Sequence, residues 1–252
     1  ELLLLDRNAE RSQAWRSALL REYPRARVTC LQVELSDWSS VKEALTKLQA
    51  LPIDVFLHNA GAYSIPRRIC DTGYDNVFQI NFVSPYYITC ALLPKLRACG
   101  GRVVAVGSIA HNYSVTDAND VDFRTRKKAS LVYGNAKRYL MFSLYSLFEN
   151  ERDVTLAVTH PGIAFTNITA HYPKLIYAII KYPMKVIFMR PRKACLPIIC
   201  GLFDPCRENE WIGPRIFDVW GKPKKRILKS CPPDESNEIA KRAEKIFKEL
   251  DQ

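Results

Sequence analysis

The chain is 252 residues long, 48% hydrophobic and 25% charged, with a formal net charge of +11 at pH 7. That length accommodates one α/β domain with a sizeable core. No apolar run approaches the ~18 residues of a spanning helix and no signal-peptide pattern opens the chain, so composition offers no candidate for either.

Short apolar runs alternate with helical patterns along the chain. Leu2–Leu5 reads as a strand and Ala9–Tyr23 as a helix stopped by Pro24. A strand over Arg27–Val33 precedes a helix over Trp38–Ala50, which sets Trp38, Val41, Leu45 and Leu48 on one face behind a Ser36 or Asp37 cap. Ile53–Leu57 reads as a strand, Asp71–Leu96 as a long helical region that should kink at Pro85, and Arg102–Val106 as a strand. Helix returns from about Ser130 to Glu149, followed by a strand over Val154–Thr159. The last quarter gives a helix near Pro191–Phe203, a short strand at Arg215–Val219 and a charged helix from Glu235 to Leu250. Strands separated by helices predict right-handed crossovers, an α/β fold and a parallel sheet. Nothing divides 1–252 into two domains. The eight cysteines form no Cys-x-x-Cys pair, and most stand in apolar segments, which predicts reduced, buried thiols and a cytoplasmic setting.

In an open parallel sheet a ligand sits beyond the carboxyl ends of the strands. After the first run comes Asp6-Arg7-Asn8, where Asp6 either bonds a ribose 2′-hydroxyl or, with Asn8, caps the next helix. Asp6 would repel a 2′-phosphate and favour NAD, whereas Arg7 could pair with it and favour NADP; the balance leans to NAD. Glu34-Leu35 meets an adenine edge or is an ordinary loop. Asn59-Ala60-Gly61 is small enough for a cofactor to approach the backbone, or is a plain turn. His160-Pro161-Gly162 follows the Val154–Thr159 run, with Thr166 in place to contact a nicotinamide carboxamide.

Tyr133 and Lys137 stand four apart in a helical stretch and so share a face, with Ser108 at the end of the Arg102–Val106 run. A cation beside a phenol favours the phenolate and predicts a tyrosine pKa lowered toward neutrality. Such a phenol can exchange a proton with an alcohol or carbonyl while a serine hydroxyl holds the oxygen, which is the chemistry of hydride transfer. One Tyr-x-x-x-Lys spacing is expected by chance in about every chain of this composition, and Tyr177–Lys181 repeats it without a strand ending in serine before it. Context selects Tyr133. The four histidines show no spacing for metal ligands; His58, His111 and His160 read as packing or loop-wall residues.

Asn59-Ala60-Gly61, Asn81, Ser108, Tyr133-x-x-x-Lys137 and Pro161-Gly162 with Thr166 occur in the order of the short-chain dehydrogenase/reductase family, which the chain resembles over nearly its whole length. The resemblance implies a Rossmann-type, doubly wound sheet and NAD or NADP. It implies that Tyr133 is the acid/base, that Lys137 holds the ribose and lowers the tyrosine pKa, that Ser108 orients the carbonyl, and that Asn81 supports a proton relay through water. Ser108 and Tyr133 lie 25 residues apart. With Ser108-Ile109-Ala110-His111, that spacing is similar to the retinol-dehydrogenase and protochlorophyllide-reductase-like branch, whose substrates are bulky apolar alcohols, aldehydes or ketones.

The family opens with a strand and a glycine-rich turn that meets the pyrophosphate at a helix N-terminus. No such turn occurs here, and the chain begins at what reads as the family's second strand. The expectation is an N-terminally incomplete record of a longer protein, with a sheet divided where a central strand is missing.

Pro173–Arg192 alternates Leu175, Ile176, Tyr177, Ile179 and Ile180 with Lys174, Lys181 and Lys185. Within 172–203 this segment reads as an apolar substrate lid that could also lie on a membrane surface. The basic stretch Lys222-Pro223-Lys224-Lys225-Arg226 reads as a solvated face or an anion-binding one, while nucleic-acid binding lacks interleaved aromatics. A homodimer is compatible with the sequence. The rival to an oxidoreductase is a non-catalytic binding or scaffold protein of the same fold, favoured by the missing glycine turn and opposed by the intact Ser108, Tyr133 and Lys137.

Overall fold

Two strands and a helix open the chain. β1 (Leu2–Asp6) and β2 (Val28–Gln32) pair in parallel, Leu2 opposite Val28 and Asp6 opposite Gln32, with α1 (Ala9–Glu22) as the crossover. The structure, a computed structural model, describes residues 1–162, 189–207, 209–228 and 231–252. Asn8 caps α1 by accepting the Arg11 N–H at 2.7 Å, and Asp37 caps α2 (Trp38–Gln49) by accepting that of Ser40 at 3.1 Å. The apolar stripe on α2 buries Val41, Ala44, Leu45 and Leu48.

A second block holds β3 (Val55–His58), β4 (Arg102–Val106), β5 (Thr155–Thr159), β6 (Glu210–Ile216) and β7 (Trp220–Ile227) in that spatial order. The first four run parallel and β7 antiparallel to β6. The division of the sheet expected from the sequence is therefore present. The edge strand β3 turns Val55 and Leu57 outward, 43% and 37% exposed, rather than into a sealed core.

The strands alternate their faces. Val103 and Ala105 join the cluster under α5 (Ala129–Phe148), α4 (Ser84–Cys99) and the last helix, whereas Val104 packs near Gly201 on the opposite face. Phe78, Phe82 and Tyr139 meet in that core with ring centroids 5.0–5.2 Å apart.

Four expectations need correction. Helix in the Asp71–Leu96 region starts at Asn76, with a short α3 (Asn76–Phe78) followed by a π-turn over Gln79–Val83 before α4. Pro85 has no N–H to give, and the ladder widens just ahead of it, Ser84 N–H reaching the Gln79 carbonyl. The helix near Pro191–Phe203 is two, α6 (Pro191–Ala194) and α7 (Leu196–Phe203), meeting at Cys195. The strand expected at Arg215–Val219 holds only for Arg215 and Ile216, the end of β6, while Phe217–Val219 form the turn of a hairpin. Phe217 and Asp218, with φ of 50° and 56°, join β6 to a basic β7 that carries no apolar face to betray it. The thiols are free as expected, but only Cys70 is fully buried, because most cysteines sit at the margins of the packed elements. Helix α8 (Pro233–Leu250) closes the chain against α5 and α4, burying Ile239, Ala243 and Ile246. Among the described residues no helix is long and apolar enough to cross a membrane.

Candidate active site

Ser108 follows β4 and caps a 3₁₀ turn over Ile109–Tyr113, its hydroxyl accepting the Ala110 N–H at 3.2 Å. That turn lies directly on α5 because residue 134 is glycine: a Cβ there would run into the Ala110 carbonyl. The close approach sets the Ser108 hydroxyl beside the Tyr133 phenol, where it pulls against the rise in the phenol's pKa. Tyr63 closes the other side, its ring edge-on to Tyr133 at 5.4 Å.

One turn along α5, Lys137 is 2% exposed and donates from Nζ to the Val106 carbonyl at 2.9 Å. Its ammonium lies 5.8 Å from the centre of the Tyr133 ring. Gly61 sits over both Lys137 and Asn81: a Cβ would come 3.6 Å from Nζ and 2.8 Å from Asn81 Oδ1. Asn81 Nδ2 donates to the carbonyls of Ala62 and Val77, 2.8 Å each, and Oδ1 accepts the Ala62 N–H at 3.3 Å. Its amide thus clamps the Gly61–Ala62 backbone, and the π-turn aims it there.

The electrostatics differ from the sequence expectation. Burial pushes the Tyr133 phenol up to about 12, against the pull of the Ser108 hydroxyl, with Tyr63 adding to the rise. Burial likewise pulls Lys137 down to about 8. The lysine points at a carbonyl rather than at the phenol, so desolvation outweighs the cation. The phenol is a protonated donor at neutral pH. His58, hydrogen-bonded to Thr89 Oγ1 at 2.6 Å, is held neutral, its pKa pulled down to about 3 by burial and then by Lys137.

At the β1 end, both Asp6 oxygens accept from Arg11 Nη2 at 2.9 Å and Oδ1 also accepts the Asn8 N–H at 2.8 Å. Burial raises its pKa, but these donors outweigh it and keep the carboxyl below its ordinary range. Arg7 is exposed beside it. Glu34 accepts the N–H and hydroxyl of Ser36 at 3.0 and 2.8 Å, and the Leu35 carbonyl accepts from Gln79 and Ser84. Asn59, Ala60 and Gly61 are exposed at the end of β3. Past β5, Gly162 has φ 77°, and a Cβ there would strike the Val219 carbonyl and the side chains of Met189 and Pro214. Thr166, the pair Tyr177–Lys181 and most of the 172–203 lid lie outside the described residues.

The structure adds Tyr63, Gly134 and Arg138 to the residues picked out from the sequence. Gly134 left a signal, since glycine inside a helix costs about 1 kcal/mol against alanine and marks a close approach. Tyr63 and Arg138 act through partners distant in sequence. A cleft of about 270 Å³ lined by Tyr145, Glu151 and Cys206 lies at the opposite end of the strands and holds none of these groups.

The sequence profile of the short chain dehydrogenase family matches residues 1–119. The chain is 30% identical over 190 residues to the short-chain dehydrogenase TIC 32 A of Brassica napus, covering 68% of this chain and 58% of that protein. It is 25% identical over 176 residues to retinol dehydrogenase 13 of Homo sapiens, covering 68% and 53%. In shape it is similar to the crystal structure of an uncharacterized protein from Mycobacterium Paratuberculosis, with TM-score 0.72 at 19% identity, covering 98% of this chain and 83% of that one. These matches support membership of the short-chain dehydrogenase family, with relatives that include a retinol dehydrogenase. The chain spans 58% and 53% of the two curated relatives named here.

Proposed function

We propose that the protein is an NAD(P)-dependent oxidoreductase that moves a hydride between nicotinamide and the carbonyl or alcohol carbon of a bulky apolar substrate. One observation carries this reading: Ser108, Tyr133 and Lys137 converge at the carboxyl ends of the strands, beneath the small residues Asn59-Ala60-Gly61. A bound dinucleotide would supply the hydride. Asn59, Ala60 and Gly61 are exposed at the end of β3, so small side chains and backbone are what a flat ligand would meet there. Asp6, Arg7, Glu34 and Leu35 would face the adenosine, and Pro161, Gly162 and Thr166 the nicotinamide. Lys137 would bond the ribose. Ser108 holds the substrate oxygen and Tyr133 donates its proton as the carbonyl is reduced, or takes it back in oxidation. Asn81 fixes the backbone beneath. All of 1–252 serves one dinucleotide-binding domain, with 172–203 as its lid.

Between the dinucleotides the reading favours NAD, because Asp6 remains an anion where a 2′-phosphate would sit. Arg7 and Arg11 moderate that preference. Substitution Asp6→Ala should raise the ratio of catalytic efficiencies with NADP over NAD, and an unchanged ratio would remove Asp6 from the ribose. The reading extends to peripheral contact with a membrane from the cytoplasmic side, and to a homodimer.

The main test follows nicotinamide absorbance over a panel of aldehydes and ketones from short and polar to long or polycyclic. Efficiency should rise with apolar area, at about 25 cal/mol for each Å² removed from water. Tyr133→Phe should abolish turnover while dinucleotide affinity stays nearly unchanged. If Tyr133→Phe turned over normally, the assignment of the acid would fall. A folded wild type that bound neither NADH nor NADPH would favour a non-catalytic scaffold of the same fold.

A further inference from the structure

The hairpin between β6 and β7 breaks a local rule. Turn positions at positive φ favour Asn and Gly, yet the three-residue connection Phe217–Val219 places Phe217 at φ 50° and leaves its ring 83% exposed. Ile216 and Trp220 flank it, 49% and 38% exposed. An aromatic held in a strained conformation and pointed at water calls for an apolar phase to receive it.

Charge says which phase. Arg215, Lys222 and Lys224 are exposed around the tip, and no ion pair among the described residues involves them. The neighbouring cations are already matched, Arg226 to Asp218 at 3.0 Å and Lys225 to Asp204 at 2.5 Å. The unmatched surface is thus apolar at its apex and cationic at its rim. A second copy would meet it poorly, because a two-fold contact sets Arg215, Lys222 and Lys224 against their own images. The lysines and Pro223 along β7 also resist strand pairing. An anionic bilayer suits it, with aromatic rings at the head-group level and lysines on the phosphates.

The tip adjoins the candidate site. His160 Nε2 bonds the Asp218 carbonyl at 2.9 Å, and the Val219 carbonyl lies where a Cβ of Gly162 would be. We propose that the hairpin tip Ile216–Trp220, with Arg215, Lys222 and Lys224, is a peripheral anchor that seats the mouth of the site on an anionic phospholipid surface. This deepens the reading of membrane contact given above. An apolar substrate could then pass between bilayer and site without crossing water.

Co-sedimentation with vesicles of phosphatidylcholine, with and without phosphatidylserine, tests this independently of turnover. Wild type should bind the phosphatidylserine vesicles and lose binding as salt rises. Phe217→Gly relieves the backbone strain, so it should keep or raise Tm while weakening binding at least about fivefold. The double variant K222E/K224E should weaken binding at least about tenfold. R21E/R25E, with the same change in net charge on α1 and the turn after it, should leave binding near wild type. Wild type failing to bind either vesicle would overturn both this proposal and the membrane reading, leaving the oxidoreductase reading intact. Binding by wild type that survives both hairpin changes would overturn the anchor alone. A wild-type dimer by light scattering that Phe217→Gly makes monomeric would show self-association instead.

Discussion

Gly134 decides where Ser108 sits, because the turn after β4 rests on α5 at the one position with no Cβ. Gly134→Ala should push the Ala110 carbonyl away and pull Ser108 off Tyr133. Crowding of this kind costs about 1–3 kcal/mol, so urea unfolding should show a loss of that order. Turnover should fall more than tenfold with dinucleotide affinity little changed, and wild-type turnover would sink the packing argument. Lys137 shows the reverse trade. A lysine brought from its ordinary 10.5 to about 8 by burial costs the fold about 3 kcal/mol below pH 8. Lys137→Met also loses the bond to Val106, worth about 1 kcal/mol. Net stability should therefore rise by roughly 2 kcal/mol at pH 7. The unfolded state binds the extra proton between about pH 8 and 10.5, so wild-type stability climbs through that window and the variant's advantage fades across it. Urea melts at pH 7 and pH 10.5 check the sign, and a destabilised Lys137→Met at pH 7 would contradict it.

Helix α8 is tied to the site by a contact invisible in either segment alone. Arg138, next to Lys137, donates Nε to Glu235 Oε1 at 2.6 Å and Nη2 to Oε2, while Nη1 bonds the His111 carbonyl at 3.1 Å. Glu235 also accepts the N–H and hydroxyl of Thr116 at 3.1 and 3.0 Å. The pair therefore locks the segment after Ser108 between α5 and α8. Burial raises the Glu235 pKa, but Arg138 and Thr116 outweigh it and leave the carboxyl below its ordinary value. A carboxylate lowered in this way stabilises the fold above about pH 4.3, and that contribution is lost as the pH falls below it. Glu235→Gln should thus cost about 3 kcal/mol at pH 7 and much less in acid, because it leaves Arg138 buried and unmatched. Acid and neutral melts that shift equally would argue against the lock. Elements with an apolar stripe or a cap were legible in the sequence: α2 from its Trp38–Leu48 face, α5 from its length, β4 and β5 from their runs. What escaped was set by non-local partners or by a missing donor. β7 has no apolar face, the π-turn follows from Pro85, and Arg138 looked like any surface cation.

Across the molecule, the candidate site was legible as residue types at strand ends, since a parallel sheet forces its ligands there. Their protonation was not, because burial of Tyr133 and Lys137 depends on Gly61, Tyr63 and the turn on Gly134 packing around them. The divided sheet has its own consequence for stability. β4 and β5 are hydrogen-bonded on both edges and bury Val103, Val104, Ala105, Leu156, Ala157 and Val158. The β1–α1–β2 block pairs only within itself, and α1 buries Ser12 alone while Trp15 is 62% exposed. It reaches the core through partly buried Leu3, Leu5, Leu31 and Leu35. Local opening draws on such thinly packed units, so this block should unfold below the global free energy. Native-state hydrogen exchange should find the amides of Leu3–Leu5 and Thr29–Leu31 exchanging at least tenfold faster than those of Val103–Ala105 and Leu156–Val158. A dinucleotide that bonds Asp6 as well as Lys137 would bridge the two blocks, so saturating NADH should slow exchange in β1 more than in β5. Equal protection of both blocks without ligand would mean that the small block folds as one unit with the rest, and would refute the argument from packing.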